Sequence, residues 1–219
     1  VTYKGETYPS YDSYIFTNTL VNVVHVSDKY SFNNFCGIQV YQLQGPCGTN
    51  LKFSINSKYM LITGQGTMTN YGSSTLPSFY YFHSIIETIN ISYGATSIGN
   101  YAFYQFSNIR NLEIPSSVNT IGSYSFQSCT NLQSVTILGD LTRINNCAFN
   151  QCTKLDSFSY FGEISSAYGS NIFNGTIFEF VYVLPKYIND VFCNYPVGKN
   201  SGSCGPSLTF SIETKSLAI

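Results

Sequence analysis

Charge is scarce in this chain. Only 10% of its 219 residues are Asp, Glu, Lys or Arg, and ten basic against eleven acidic groups leave a formal net charge of −1. A nucleic-acid binder carries a basic surplus that neutralises phosphates, and a polybasic membrane binder needs clustered Lys or Arg, so neither class fits. Imidazole is nearly absent as well. His25 and His83 are the only two, and neither stands near a Ser or Cys in a nucleophile motif. The doublet Gly64-Gln-Gly66 lacks the third Gly and the Lys of a phosphate loop, and the carboxylates are scattered without a motif. No catalytic site, cofactor or metal is therefore expected. Long apolar runs are missing too: none approaches the roughly 20 residues of a membrane helix. No membrane insertion is expected within this segment. The chain opens on Val1 rather than on Met and a charged leader, so any signal or anchor is expected outside it.

What is present is apolar and aromatic. With 43% hydrophobic and 16% aromatic residues, the chain is too apolar for a disordered polymer and can fill a sizeable core. That content is periodic. Ile98-Gly-Asn-Tyr-Ala-Phe103, Ile121-Gly-Ser-Tyr-Ser-Phe126 and Ile144-Asn-Asn-Cys-Ala-Phe149 align at a spacing of 23. Further columns follow: Ile86, Ile109, Leu132, Leu155; then Ile89, Leu112, Val135, Phe158; then Ile91, Ile114, Ile137, Tyr160; and Ala95, Val118, Leu141, Ile164. A fourth block is longer by one residue and puts Tyr168 and Phe173 where the Ile and Phe columns continue.

A unit this short cannot close a core alone, so its apolar columns must be covered by the units above and below it. The expectation is a β-rich repeat solenoid. Alternation in Leu112-Glu-Ile114, Val135-Thr-Ile137 and Phe158-Ser-Tyr160 predicts one short strand per rung. The Ile-Gly-x-x-x-Phe segment does not alternate and predicts a turn leading into a short helical or irregular convex piece.

A second period of 157 superposes residues 1–62 on 158–219, with 24 of the 62 positions identical. Lys29-Tyr30 matches Lys186-Tyr187, Phe35-Cys36 matches Phe192-Cys193, and Phe53-Ser-Ile55 matches Phe210-Ser-Ile212. The chain then reads as a window on a tandem array. Residues 1–46 end one unit, 47–203 form a complete one and 204–219 begin the next. Within the complete unit, 47–69 read as a β-hairpin cap, 75–185 as rungs and 186–203 as a junction, with a linker predicted over Gly198–Gly205 and its counterpart over Gly45–Asn50.

Asn111-Leu-Glu-Ile-Pro-Ser-Ser-Val-Asn-Thr-Ile-Gly-Ser-Tyr-Ser-Phe126 and the following Cys129-Thr-Asn-Leu132 resemble the rungs of BspA-like leucine-rich-repeat proteins, and the 47–68 hairpin resembles the segment that precedes those rungs. The resemblance implies a leucine-rich-repeat arc, a secreted or cell-surface location and a non-catalytic binding or adhesion role. This copy departs from the pattern at Phe53, where the family often has Trp, and at Phe106, which replaces the rung Cys. Pro115 gives way to Leu138 and Phe161 in later rungs.

The expected partner surface is the solvent side of the strand ladder: Thr88, Asn111, Ser134 and Ser157 in one line, Asn90, Glu113, Thr136 and Ser159 in the next, and Ser92, Pro115, Leu138 and Phe161 beside them. Short polar side chains admit a peptide or glycan backbone closely, and Leu138 and Phe161 add exposed apolar contact. The partner expected is a protein or glycan, bound by a monomeric fragment of an array whose repeated units raise avidity. Two rivals remain: an intracellular repeat scaffold, and an accessory non-catalytic segment of a larger secreted enzyme.

Cys36 and Cys47 are eleven apart, as are Cys193 and Cys204, with no further ligand at metal spacing. Two disulfides closing the unit junctions are expected, each loop of about 12 residues contributing roughly 3 kcal/mol. They would imply an oxidising compartment. Cys129, Cys147 and Cys152 read as small buried hydrophobes. The sequons at Asn174 and Asn90 are glycosylation acceptors only on a eukaryotic secretory route, Asn174 on its Gly-containing turn being the better one.

Overall fold

The structure is a computed structural model. It describes residues 38–199 apart from Ser165, the segments 201–205 and 208–211, and the short strands Thr2–Tyr3, Val24–Val26 and Asn34–Phe35.

The 23-residue columns are physical ladders. Strands Asn111–Ile114, Ser134–Ile137 and Ser157–Tyr160 pair in parallel with Asn111↔Ser134↔Ser157 and Leu112↔Val135↔Phe158 in register, and Val181–Val183 and Tyr195–Lys199 extend the sheet. Each four-residue rung strand buries alternate residues, so one face is core and the other solvent. A second parallel sheet runs along another side of the coil, built from Gly66–Thr67, Ala95–Ile98, Thr120–Ile121, Arg143–Ile144 and Ala167–Tyr168. These strands are as short as two residues, too short to leave an alternation in the sequence.

Between the two sheets lies a continuous core. Its spine is a stack of phenyl rings: Phe103 on Phe126 at 5.3 Å, Phe126 on Phe149 at 5.3 Å and Phe149 on Phe173 at 5.7 Å between centroids. Cys129 and Cys152 stand beside the spine, fully buried, each donating its thiol to a carbonyl one rung back, Phe103 O and Phe126 O.

The predicted hairpin is present. Leu51–Asn56 and Tyr59–Gly64 pair antiparallel around Ser57-Lys58, and Tyr59–Gly64 then pairs in parallel with the first rung strand, Thr88–Ile91. Its core-side residues Leu51, Phe53, Ile55, Met60 and Ile62 are all buried, so the hairpin covers the open end of the stack.

The convex segment takes both expected forms: a 3-10 helix, Ser78–Phe82, in the first rung, and irregular turns in the later ones, where two residues of positive φ stand four apart, Tyr101 and Gln105, Tyr124 and Ser128, Cys147 and Gln151, Asn171 and Gly175. Hydrogen bonds between rungs hold these turns, as in Phe103 N to Ser125 O and Phe126 N to Ala148 O, both 2.8 Å. Three expectations need correction. The predicted linkers are strands. Gln44–Gly48 pairs with Leu51–Asn56, and Ser201–Gly205 pairs with Leu208–Ser211. Pro46 is tolerated because its strand is the edge of that sheet.

Two of the apolar columns also end early: Tyr168 is 43% exposed and Ile164 50%, the larger side chain of Tyr160 filling the core beside Ile164, whereas Phe173 continues its column in the core. The Tyr160 hydroxyl donates to Ile164 O at 2.7 Å and accepts from Leu141 N at 3.2 Å. Finally, the expected disulfides are not formed. Cys47 and Cys193 are free, buried thiols. The chain between Cys193 and Cys204 is spent in the extended runs Tyr195–Lys199 and Ser201–Gly205, and that between Cys36 and Cys47 in Ile38–Gln42 and Gln44–Gly48. Extended strands carry their ends apart, whereas a disulfide needs Cα atoms within about 7 Å. Cys36 lies outside the described residues, as does the side chain of Cys204.

Strand pairing repeats at 157 as well. Asn34↔Gln39 and Phe35↔Ile38 recur as Val191↔Pro196 and Phe192↔Tyr195, and the bulge between Pro46 and Gly48 recurs between Ser203 and Gly205.

Candidate functional site: the concave strand face

The rung strands carry their outward side chains in straight lines. By register, Thr88, Asn111, Ser134 and Ser157 share one line and Asn90, Glu113, Thr136 and Ser159 the next, for the first rung through the offset of 23 and thereafter through pairing. Thr88, Asn90, Asn111 and Glu113 are exposed, whereas Ser134, Thr136, Ser157 and Ser159 are half-buried among their neighbours. Ser134 Oγ donates to Asn111 Oδ1 at 2.7 Å, a side-chain bond running along the ladder.

The character of the face changes along the coil. Leu138 is 37% exposed and Phe161 half-buried at the strand ends. In the next rung, Val181–Val183 pairs with Ser157–Tyr160 so that Phe180 continues the Ser157 line and Tyr182 the Ser159 line. Phe180 is 38% exposed and packs edge-on against Tyr182 with centroids 4.9 Å apart. Beneath it is Gly198, where a Cβ would stand 2.8 Å from the Phe180 ring. The hydroxyl and amide face of the early rungs thus ends in an aliphatic and aromatic patch.

Phe180 and Tyr182 are functional-site residues that sequence reasoning missed. The fourth block's extra residue obscured the column, although Phe180-Val-Tyr-Val-Leu184 alternates and stands 23 after Ser157-Phe-Ser-Tyr-Phe161. Two exposed ion pairs frame the face, Lys58 with Glu87 at 2.5 Å and Lys186 with Glu163 at 3.0 Å. Pairs in this setting add little to stability.

His83 stacks on Tyr80 at 4.5 Å between centroids and its Nδ1 lies 2.9 Å from Tyr80 O, remote in sequence from any thiol. Three buried thiols are held protonated: burial pushes Cys47 and Cys193 up to about 12, and Cys129 is raised by burial and by Cys152 beside it. A nucleophilic thiol needs the opposite shift. Among the described residues no group of three or more His, Cys, Asp or Glu could hold a metal ion, and no helix is long and apolar enough to cross a membrane. Asn90 and Asn174, the two sequon residues, are both exposed.

The family model of the BspA type leucine rich repeat region matches residues 74–194 in six copies. The chain belongs to the BspA-type leucine-rich-repeat family. The six copies cover the rung strands and the Phe180–Tyr182 rung alike. Among solved structures this leucine-rich-repeat chain is similar to a leucine-rich repeat protein from Eubacterium ventriosum, at 21% identity and a TM-score of 0.55, over 66% of this chain and 38% of that one. A leucine rich cell surface protein from Faecalibacterium prausnitzii matches at 21% identity and a TM-score of 0.36, over 65% of this chain and 49% of that one. The chain therefore spans less than half the length of the solved structures it matches. No curated protein matches it.

Proposed function

We propose that this leucine-rich-repeat arc is a non-catalytic adhesion module of a secreted or cell-surface protein, and that it holds a protein or glycan partner against its concave strand face. The observation that carries the reading is the patch of Leu138, Phe161, Phe180 and Tyr182 at the end of an otherwise polar ladder. Soluble proteins seldom leave aligned apolar side chains in water without a partner to cover them. The polar lines, with Thr88, Asn111, Glu113 and Thr136 among them, supply orientation, and the patch supplies desolvation energy.

Tandem repetition at 157 residues multiplies such faces. Linked copies raise avidity without any new contact. The location outside the cell rests on the family. The cysteines no longer contribute to it, because Cys47 and Cys193 are free thiols. That same fact favours a second reading, an intracellular repeat scaffold with the same face.

The test is binding of the fluorescently labelled chain to intact epithelial cells. Replacing Leu138, Phe161 and Phe180 together by Ser is expected to abolish binding, and a two-unit chain is expected to bind at least tenfold more tightly than one unit. Unchanged binding by the triple variant would remove the concave patch from the mechanism. Equal, weak binding by one and two units would remove multivalency.

A further inference from the structure

A second concavity lies on the side of the coil formed by the short parallel strands, a trough of about 440 Å3 running from Thr67 to Asn145. We propose that this trough is a binding site for a neutral oligosaccharide, separate from the concave face.

Its shape comes partly from one column. Gly122, in the position after the buried Ile of its rung, lines the trough without a side chain, and a Cβ there would meet Asn100 N at 2.5 Å, so the rungs stack closely at that point. In the third rung the same position is Asn145, whose Nδ2 donates to Ile121 O at 3.0 Å and whose Oδ1 accepts from Arg143 Nε at 2.7 Å. Asn145 thus ends the trough.

Its chemistry comes from the walls. Asn70 Oδ1 accepts Asn100 N at 2.9 Å, Asn100 Oδ1 accepts Ser123 N at 2.7 Å, and Asn119 Oδ1 accepts the Thr120 hydroxyl at 3.0 Å. With each oxygen engaged, the orientation of each amide is set and its Nδ2 donors remain for a ligand. Donors fixed before binding cost little entropy to use. Thr96 and Ser123 add hydroxyls that donate or accept, and the Thr120 oxygen, its proton given to Asn119, can accept.

The lining selects by what it offers. None of the lining side chains is charged, and Arg143 beside Asn145 is a single cation at one end, so a polyanion finds no row of counter-ions along the trough. Ile98 is the one aliphatic lining residue and it is 1% exposed, so an apolar ligand or the side chains of a peptide find no apolar wall. A chain of neutral hydroxyls matches a wall of amides and hydroxyls group for group.

The test is an NMR titration of the full 15N-labelled chain with neutral hexasaccharides of α-1,4-glucan, β-1,4-glucan, β-1,4-xylan and β-1,4-mannan. A heparin hexasaccharide and a Gly-Ser decapeptide stand for the polyanion and the peptide. At least one neutral sugar is expected to shift the side-chain amide signals of Asn70, Asn100 and Asn119 saturably at millimolar concentration or below. Thr120→Arg is expected to weaken that binding about tenfold or more by filling the trough, a loss of about 1.4 kcal/mol. Thr96→Val with Thr120→Val removes two hydroxyls at nearly constant shape and is expected to weaken binding even if the Arg variant folds poorly. Phe180→Ser should leave the sugar titration unchanged, so this site and the concave face can fail separately. No binding by any of the four sugars, preference for heparin or the peptide, shifts confined to other residues, or full binding by the double Val variant would each overturn the proposal.

Discussion

Ser125 occupies a column whose other members are Ala102 and Ala148, all three fully buried, and its hydroxyl has no hydrogen-bond partner. A buried hydroxyl without a partner costs about 1–3 kcal/mol of desolvation, so Ser125→Ala should stabilise the fold by about that amount in urea unfolding. One residue on, the effect reverses. Phe126 is sandwiched between Phe103 and Phe149 at 5.3 Å on each side, and Phe126→Ala should cost about 3–5 kcal/mol through the lost ring and its cavity. A loss below about 1 kcal/mol would contradict burial of this column. Titration adds a third consequence of burial. Cys47 and Cys193 rise from 9.0 to about 12 and Tyr71 from 10.0 to about 12, chiefly by desolvation. Between those limits the folded chain keeps protons that the unfolded chain has lost, so stability should be level below about pH 9 and fall as pH rises towards 12. Melting temperatures measured from pH 7 to 11 check the sign; a Tm that climbs above pH 9 would contradict it.

At the scale of the element, the convex turns are the least obvious feature. Their left-handed positions hold Tyr101, Tyr124, Cys147 and Asn171 in one column and Gln105, Ser128, Gln151 and Gly175 in the other. A left-handed conformation costs a residue with a Cβ roughly 1–2 kcal/mol, and glycine avoids that cost. The fourth rung already uses glycine there. Ser128→Gly is expected to raise stability by up to about 1 kcal/mol, and Gly175→Ser to lower it by a similar amount, each read from the urea midpoint. The same column explains why the left-handed geometry of these turns was not legible. Tyr, Gln and Cys carry no left-handed signal, and the conformation is held by hydrogen bonds to the next rung rather than by local preference. The rung strands were legible because burial alternates in Asn111–Ile114 and its copies, and a period of 23 translates directly into the register Asn111↔Ser134↔Ser157. The junction strands were not, because Gly, Pro and Ser mark turns by composition while their pairing in Gln44–Gly48 depends on a partner strand beyond them. Of the candidate site, the polar lines and Leu138 were visible through the columns. The Tyr160 side chain that turns Ile164 outward was not, since a column records apolar type and not volume.

The whole molecule raises the question of whether units of 157 residues fold separately. Ile38–Gln42 pairs with Val24–Val26, and after the single residue Leu43 the chain continues as Gln44–Gly48, paired with the hairpin strand Leu51–Asn56. Leu43 itself is tied in, its carbonyl accepting Ile55 N at 2.6 Å. One bent strand therefore leads from the sheet of Val24–Val26 into the hairpin sheet, with only Leu43 between the two paired runs. In a stacked array the stability of each element depends on its neighbours, so loss of one ladder strips the edge from the next. Comparison of a one-unit chain with a two-unit chain in urea measures this. The two-unit chain is expected to unfold in a single transition at a higher midpoint, with an m-value about twice that of one unit because about twice the surface is exposed in one step. Two resolved transitions, or one transition with an unchanged m-value, would mean that the bent strand does not couple the units. A proline at Leu43 sharpens the test. Leu43→Pro removes no side chain from a fully buried site, since Leu43 is only partly buried, but it constrains the bend between the two strands. If coupling passes through that bend, the variant should split the two-unit transition while leaving the one-unit m-value unchanged.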